Sequence, residues 1–183
     1  MKRSPVSLFR SCMTVATTAA LLAAGLTAQV NAKDNRAPSV PQDIEVPEGN
    51  KVHFHGYALG VQIYTWNGTS WGASVPEAIL FDDDGNVVAI HYAGPTWESN
   101  SGSKVVGAVV PPRVTVDPDA IPWLLLSAVA ASTEGPGIFA ETTYIQRVNT
   151  TGGKAPLAPG DFAGQVVRVP YTADYYFYRK SND

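Results

Sequence analysis

The sequence predicts an all-β protein, a single-domain antiparallel β-sandwich or barrel of about 8–10 short strands. Short segments rich in Val, Ile, Tyr and Phe recur from Ile44 onwards, with turn residues between them roughly every 8–12 positions. The 16 glycines and 14 prolines punctuate these segments, and both residue types favour turns. Few windows longer than about ten residues keep the helical spacing of apolar residues without Gly or Pro.

The N-terminal region, residues 1–32, is predicted to be a cleavable secretory signal peptide. Three basic residues lie within the first ten positions, an uncharged stretch rich in Ala, Leu and Thr follows, and Val30-Asn31-Ala32 is a small-x-Ala cleavage site. The uncharged stretch is shorter than the ~20 apolar residues of a membrane-spanning helix, although an uncleaved anchor is the alternative. We therefore expect a secreted or periplasmic protein, cleaved near Ala32, with no membrane span in the mature chain.

The mature chain that such cleavage would leave is acidic and free of sulfur. Cys12 and both methionines lie within the signal peptide, which excludes Cys–His catalysis and disulfides from the mature protein. The mature chain keeps 10 basic and all 16 acidic residues, a net charge of −6. This balance argues against a nucleic-acid partner. The 151 remaining residues suit one domain with a core of its own.

Turn signals divide the mature chain into elements. Residues 33–43 are polar and are predicted to be a flexible lead-in to a single β domain at 44–180. Residues 52–57 and 59–66 are the first strand-like segments. Asn67-Gly68 follows them and predicts a hairpin in which both central positions have positive φ.

The later strands are predicted in the same way. Residues 78–81 and 87–92 flank the loop Asp82–Asn86 and predict a second hairpin. Further candidate strands are 96–98, 104–110, 123–130, 137–148, 165–169 and 175–178. The apolar run 121–131 is compatible with a helix by propensity, but its β-rich surroundings favour a strand.

The three histidines define a candidate metal site. Residues i and i+2 of a strand face the same side, so His53 and His55 would present two imidazoles together. Paired imidazoles bind zinc or copper, and His91 from another strand would complete a three-ligand site. The alternative is an exposed strand face that holds no metal, and no cofactor is predicted.

The acidic loop Asp82-Asp83-Asp84-Gly85-Asn86 has two interpretations. It shares part of its pattern with calcium loops, but it lacks their length and their terminal Glu. Asp and Asn also favour turns because they bond their own backbone, and a hairpin turn is expected here. We therefore favour a turn.

The segment around His91 is the main candidate for a ligand-binding site. The predicted ligand-binding residues are His91, Tyr92, Trp97, Glu98 and Arg147. Trp97 would offer a stacking surface, and His91 with Glu98 would be the catalytic residues of an acid–base pair. The alternative is structural: Trp97 lies in the core, and Arg147 pairs with Glu98 or Glu141.

The C-terminal aromatic residues are predicted to form a final strand. Alternation would place Tyr175 and Phe177 on one face and Tyr176 and Tyr178 on the other. Tyr171 precedes them in the same segment. A binding platform is the alternative role of this set.

Several segments together resemble a known family. They are GVQIYTW, PEAILFDDDGN, HYAGPTWES, GSKVVG, IPWLLLSA, IQRVNTTGG and VPYTADYYFYR, in that order. They resemble DUF3455, a family of exported bacterial and fungal proteins of unknown function, over about residues 47–178. The resemblance implies an all-β exported domain and transfers no catalytic role. Many relatives have cysteines near Trp66 and Gly160 that this chain lacks, which implies that these two positions lie close together.

These observations predict an exported β-domain protein that binds a small molecule or has a role at the cell envelope. The alternative is an acid–base or metal-assisted hydrolase that uses His91 and Glu98. No G-x-S-x-G motif or nucleotide fingerprint supports another enzyme class. A hydrolase would place His91 and Glu98 in one open pocket, whereas a binding protein would present aromatic side chains without such a pair.

Overall fold

The computed structural model of the chain describes Met1, residues 36–129 and residues 137–181. All of these except Met1 belong to one compact unit, Lys33–Asp183. The predicted signal peptide beyond Met1, its cleavage site and the start of the predicted lead-in lie outside the described residues. Within the described ranges, no helix has the length and apolar character needed to cross a membrane.

Eight antiparallel strands form one closed barrel. The strands are β1 (Asn50–Thr65), β2 (Val75–Phe81), β3 (Val87–Tyr92), β4 (Thr96–Ser99), β5 (Lys104–Val114), β6 (Trp123–Ala128), β7 (Thr142–Gly152) and β8 (Val166–Lys180). Each strand pairs with the next along the chain, and β8 returns to pair with β1. A short 3-10 turn, Gln42–Ile44, precedes β1. The predicted all-β antiparallel fold is confirmed, and of its two forms the structure is the barrel.

Two strands, β1 and β8, each join two segments that the sequence predicted as separate. β1 continues through Gly60, where an added Cβ would lie 2.2 Å from the Glu77 carbonyl oxygen and 2.4 Å from the Ala78 Cβ. The absence of a side chain therefore lets β2 pair closely with β1. β8 continues through Pro170, whose carbonyl accepts a hydrogen bond from the Gly153 N–H at 2.9 Å.

The predicted hairpin at Asn67-Gly68 is present, but its centre lies one residue later. The Asn67 N–H donates to the Ser70 carbonyl at 3.0 Å, so Gly68 and Thr69 are the central residues, and Gly68 has a φ of 97°. The Asn67 side chain accepts hydrogen bonds from the Thr69 and Ser70 N–H groups, both at 2.8 Å. The expected positive φ at Asn67 is therefore wrong, because this residue acts through its side chain.

Hydrogen bonds close the second hairpin loop as a turn. Asp82 Oδ1 accepts from the Asp84 N–H at 3.0 Å and from the Asn86 N–H at 2.8 Å. Gly85 supplies the positive φ, 81°, that the loop requires. These bonds agree with the turn interpretation. The apolar run 121–131 contains β6, as its surroundings favoured.

The barrel interior combines small residues on one wall with large ones on another. Alternation along each strand sends every second side chain inwards. Strands β1 to β3 contribute Ala58, Ala78 and Ala89, whereas β4 and β8 contribute Trp97 and Phe177. Large rings facing small side chains fill a narrow barrel efficiently. Polar side chains that alternation turns inwards are therefore buried among these core residues.

Candidate functional site

The inner face of the barrel brings together polar and aromatic residues from five strands. This interior cluster consists of Gln62, His91, Trp97, Arg147, Tyr171 and Tyr175. Directly paired residues of antiparallel strands share a face. His91 is paired with Trp97, and Arg147 is paired with both Leu124 and Tyr175. Since Leu124 and Tyr175 belong to the core, Arg147 also lies on the inner face.

Three rings of the interior cluster are in direct contact. His91 stacks on Trp97 with ring centroids 4.2 Å apart and planes 6° apart. Tyr175 meets both rings edge-on, with centroids 5.3 Å away in each case. All three side chains are buried. This contact fixes the orientation of the Trp97 indole inside the barrel.

Four polar atoms of the interior cluster make no hydrogen bond of normal geometry in the described part of the chain, although Tyr171 lies near enough to Gln62 and Tyr175, and Tyr175 near enough to Arg147, for these neighbours to shift their pKa values. The four atoms are Gln62 Nε2, Trp97 Nε1, the Tyr171 hydroxyl and the Tyr175 hydroxyl. Each of the four residues is at most 2% exposed. A buried polar atom left without a partner costs about 1–3 kcal/mol. Four such atoms in one barrel interior indicate that water or a ligand completes their hydrogen bonds.

Burial keeps His91, Tyr171 and Tyr175 neutral. It lowers the pKa of His91 to about 3, against a smaller opposing effect of the Thr96 carbonyl. His91 is therefore neutral, and its Nδ1–H donates to that carbonyl at 2.8 Å. Burial also raises the pKa of Tyr171 and Tyr175, so both hydroxyls keep their protons. The tyrosines can thus act as hydrogen-bond donors.

Arg147 supplies the positive charge of the interior cluster. Its Nε and Nη2 atoms donate to the Pro122 carbonyl at 3.2 and 2.8 Å. Its charge lowers the pKa of His91 and opposes the rise in the pKa of Tyr175. Among the described residues, no carboxylate forms an ion pair with Arg147, and no buried side chain is acidic.

Tyr92 and Glu98 lie on the outer face, away from the interior cluster. Alternation along β4 turns Trp97 inwards and Glu98 outwards. The Tyr92 hydroxyl donates to Glu98 Oε2 at 2.7 Å, and Lys104 Nζ lies 3.2 Å from the same oxygen. The hydrogen bond from Tyr92 and the contact with Lys104 hold the pKa of Glu98 below its usual value.

The structure thus divides the predicted ligand-binding residues into two groups. His91, Trp97 and Arg147 meet inside the barrel, whereas Tyr92 and Glu98 do not. The suggested pairing of Arg147 with an acidic residue is wrong for both candidates, because Glu98 contacts Lys104 and Glu141 contacts Arg179 at 3.6 Å. Both carboxylates lie outside the barrel, where lysine or arginine is the nearer partner.

The three histidines are not brought together. His53 is the extra residue of a β-bulge in β1, and its Nε2 lies 3.2 Å from Thr142 Oγ1. His55 Nδ1 contacts Asp83 Oδ1 at 3.0 Å, and its ring stacks on Tyr176 with centroids 4.3 Å apart. Among the described residues, no three His, Cys, Asp or Glu side chains are grouped as metal ligands.

Three members of the interior cluster, Gln62, Tyr171 and Tyr175, were not among the predicted ligand-binding residues, although both tyrosines belong to the C-terminal aromatic set. Gln62 is an amide within the otherwise apolar segment 58–63 of β1, and it lies two residues from Gly60 on the same face. Tyr171 shares its face with Tyr175 because the two are four residues apart on one strand. An amide inside an apolar, strand-like segment was the sequence signal that could have identified Gln62.

The fold and the interior cluster define a small closed antiparallel barrel with polar groups inside. Within this class, the chain belongs to the family described as Protein of unknown function (DUF3455), whose family model matches residues 47–179. A search of curated proteins found no match. A search of solved structures likewise found none.

Trp66 and Gly160 lie side by side, as the family resemblance implied. A Cβ placed on Gly160 would be 2.8 Å from the Trp66 Cβ and 2.5 Å from its Cγ. The Cβ atoms of a disulfide are typically about 3.5–4.5 Å apart. The two positions are therefore adjacent but closer than a disulfide requires, so a bridge would need a small shift of the backbone; here the Trp66 ring packs against Gly160 instead.

Proposed function

We propose that this chain is an exported binding protein that holds a small molecule inside its barrel, against Trp97, Tyr171 and Tyr175. The observation that carries the proposal is the set of four buried polar atoms without partners in the described chain. A protein interior normally satisfies such atoms, and a ligand is one way to do so. Eight-stranded barrels are wide enough to hold one small ligand.

The energy of the unpartnered atoms supports a bound occupant. At about 1–3 kcal/mol each, four unsatisfied groups together cost an amount comparable with the roughly 5–15 kcal/mol stability of a typical domain. An occupant that accepts hydrogen bonds from these groups would recover much of that loss. Arg147 is only half-buried, whereas the other cluster members are buried, so a ligand would reach the cluster from the Arg147 side.

Support for export comes from the N-terminal sequence. The basic start, the uncharged stretch and Val30-Asn31-Ala32 have the order of a secretory signal. The expected location is secreted or periplasmic, and an envelope component is the alternative partner. N-terminal sequencing of protein from its native culture should give a mature start near Lys33. Recovery of Cys12 in the mature protein would contradict export by cleavage.

The hydrolase alternative has less support. His91 faces inwards and Glu98 faces outwards, so the two side chains do not line one pocket. Glu98 is also engaged by Tyr92 and Lys104, which stabilise its charged form. An acid–base pair needs both groups within hydrogen-bond reach of the same substrate atoms.

Native mass spectrometry of the protein from its own culture tests the proposed binding. We expect a non-covalent adduct that dissociates on unfolding, and a crystal structure at high resolution should place it beside Trp97 and Tyr175. A Y175F variant should retain less of the adduct, whereas Y144F, outside the barrel on β7, should retain it fully. An interior that contains only separate water molecules would overturn the proposal.

A further inference from the structure

We propose, building on the proposed function, that the interior ligand is a small organic acid whose carboxylate binds Arg147, Tyr175 and Trp97. The juxtaposition of one unbalanced cation with several hydrogen-bond donors carries this inference. The ligand class follows from the hydrogen-bond acceptors and the negative charge that these groups lack.

The first property is that the unpartnered atoms can all donate. Trp97 Nε1 and Gln62 Nε2 are donors only, and the hydroxyls of Tyr171 and Tyr175 can each donate one proton. A carboxylate accepts hydrogen bonds at two oxygens and donates none. A sugar hydroxyl or a water would bring its own donors into a site that already has an excess of them. The cluster therefore suits an acceptor without protons.

The second property is the charge of Arg147. None of the buried polar residues of the described chain is acidic; they are Gln62, His91, Thr96, Ser99, Ser103, Thr142, Gln146 and Thr150. The hydrogen bonds from Arg147 Nε and Nη2 both end on one neutral carbonyl, that of Pro122. Guanidinium hydrogens remain for a ligand. Arginine and carboxylate form charge-assisted hydrogen bonds about twice as strong as neutral ones.

The third property is the position of Arg147 relative to the donors. Arg147 is the direct cross-strand partner of Tyr175, and the Tyr175 ring touches the Trp97 ring. A carboxylate beside Arg147 would therefore have the Tyr175 hydroxyl next to it and the indole N–H beyond.

Matched acids and amides provide the test. Formate, acetate and benzoate are each titrated near pH 7 against formamide, acetamide and benzamide, and the Trp97 indole N–H is followed by NMR. A W97F variant assigns the signal, and the indoles of Trp71 and Trp123 serve as references. We expect at least one acid to bind about tenfold more tightly than its amide. R147M should remove this preference, and R147K, which keeps the charge but not the planar fork, should keep part of it.

The outcomes separate this inference from the proposed function. If acid and amide bind equally and R147M does not change their ratio, the carboxylate assignment is overturned while interior binding stands. If no acid shifts the Trp97 signal while native mass spectrometry still shows an interior adduct, the carboxylate assignment is overturned and interior binding stands; if neither experiment shows an occupant, both proposals are overturned. Should R147M fail to fold, R147K gives the decision: a reduced acid preference is expected because Lys keeps the charge but lacks the planar fork, and an acid preference unchanged from the parent protein would overturn the guanidinium–carboxylate contact.

Discussion

Replacing Tyr175 with Phe removes one buried hydroxyl and leaves the ring contacts with His91 and Trp97 in place. The hydroxyl has no partner in the described chain, and the residue is 1% exposed. An unsatisfied buried polar group costs about 1–3 kcal/mol, so its removal from the ligand-free protein should stabilise the fold by about 1 kcal/mol. For a domain of this size, that corresponds to a rise in Tm of roughly 2–4 °C.

The sign of this effect distinguishes the occupied barrel from the empty one. In protein that retains its ligand, the same hydroxyl would donate to the ligand, and Y175F should lower stability. Thermal unfolding by circular dichroism, on material refolded from denaturant and on material from native culture, measures both states. The refolded protein must be shown free of the adduct by mass spectrometry.

Tyr64 provides the matched control for this comparison. It is also buried, but its hydroxyl donates to the Gly153 carbonyl at 2.6 Å. Y64F should therefore destabilise both preparations by about 1 kcal/mol. A Y175F variant that loses as much stability as Y64F in ligand-free protein would refute the reasoning, because it would show that the Tyr175 hydroxyl already has a partner.

Three further predictions concern stability. Because burial lowers the pKa of His91 from 6.5 to about 3, the unfolded chain takes up the proton first, and stability is lost as pH falls from 6.5 towards 3. H91N should flatten this slope between pH 6.5 and 5 in denaturant titrations. A W66C/G160C variant of the mature chain should form a disulfide, detected by thiol titration, and be about 3–4 kcal/mol less stable when reduced. G60A should destabilise by more than about 2 kcal/mol in urea unfolding, because the added Cβ would overlap the β2 backbone.

Each of these predictions has its own control. H53N reports the separate contribution of His53, whose pKa burial lowers to about 4. The single W66C variant measures the loss of the Trp66 ring alone, roughly 3–5 kcal/mol for a buried Trp. G102A tests backbone strain without crowding, since Gly102 has a φ of 86° and nothing within 4 Å of an added Cβ. A G60A variant as stable as G102A would contradict the packing argument. A W66C/G160C variant whose thiols stay reduced in air would contradict the adjacency of positions 66 and 160.

The fold was largely predictable because its signals are local. Turn residues such as Asp82 and Gly85 specify the hairpins through their own side chains and backbone, and β-branched segments between them read as strands. The closure of the sheet was not predictable in this way. It depends on pairing between β1 and β8, two strands more than a hundred residues apart, and no local pattern encodes that contact.

The candidate site was predictable only in part, because strand alternation separates neighbours in sequence. Trp97 and Glu98 are adjacent in the chain, yet one enters the barrel and the other faces solvent. A motif that looked like one site therefore became two environments. His53 illustrates a second limit: a bulge at that residue interrupts the simple rule that i and i+2 share a face.

The residues that did converge are distant in sequence, and their chemistry is visible only in the closed barrel. The sequence alone suggests an acidic partner for Arg147, and Glu98 and Glu141 were the two candidates. Closure leaves those carboxylates outside with Lys104 and Arg179, while Arg147 stays inside with Tyr175 and Trp97. A cation that the fold separates from its own acidic residues, among donors that the fold leaves unpaired, needs a counter-charge from elsewhere. If Arg147 binds an anion, R147M should abolish the binding of that anion; if it binds none, R147M should change stability only through the lost hydrogen bonds to the Pro122 carbonyl, by about 1 kcal/mol.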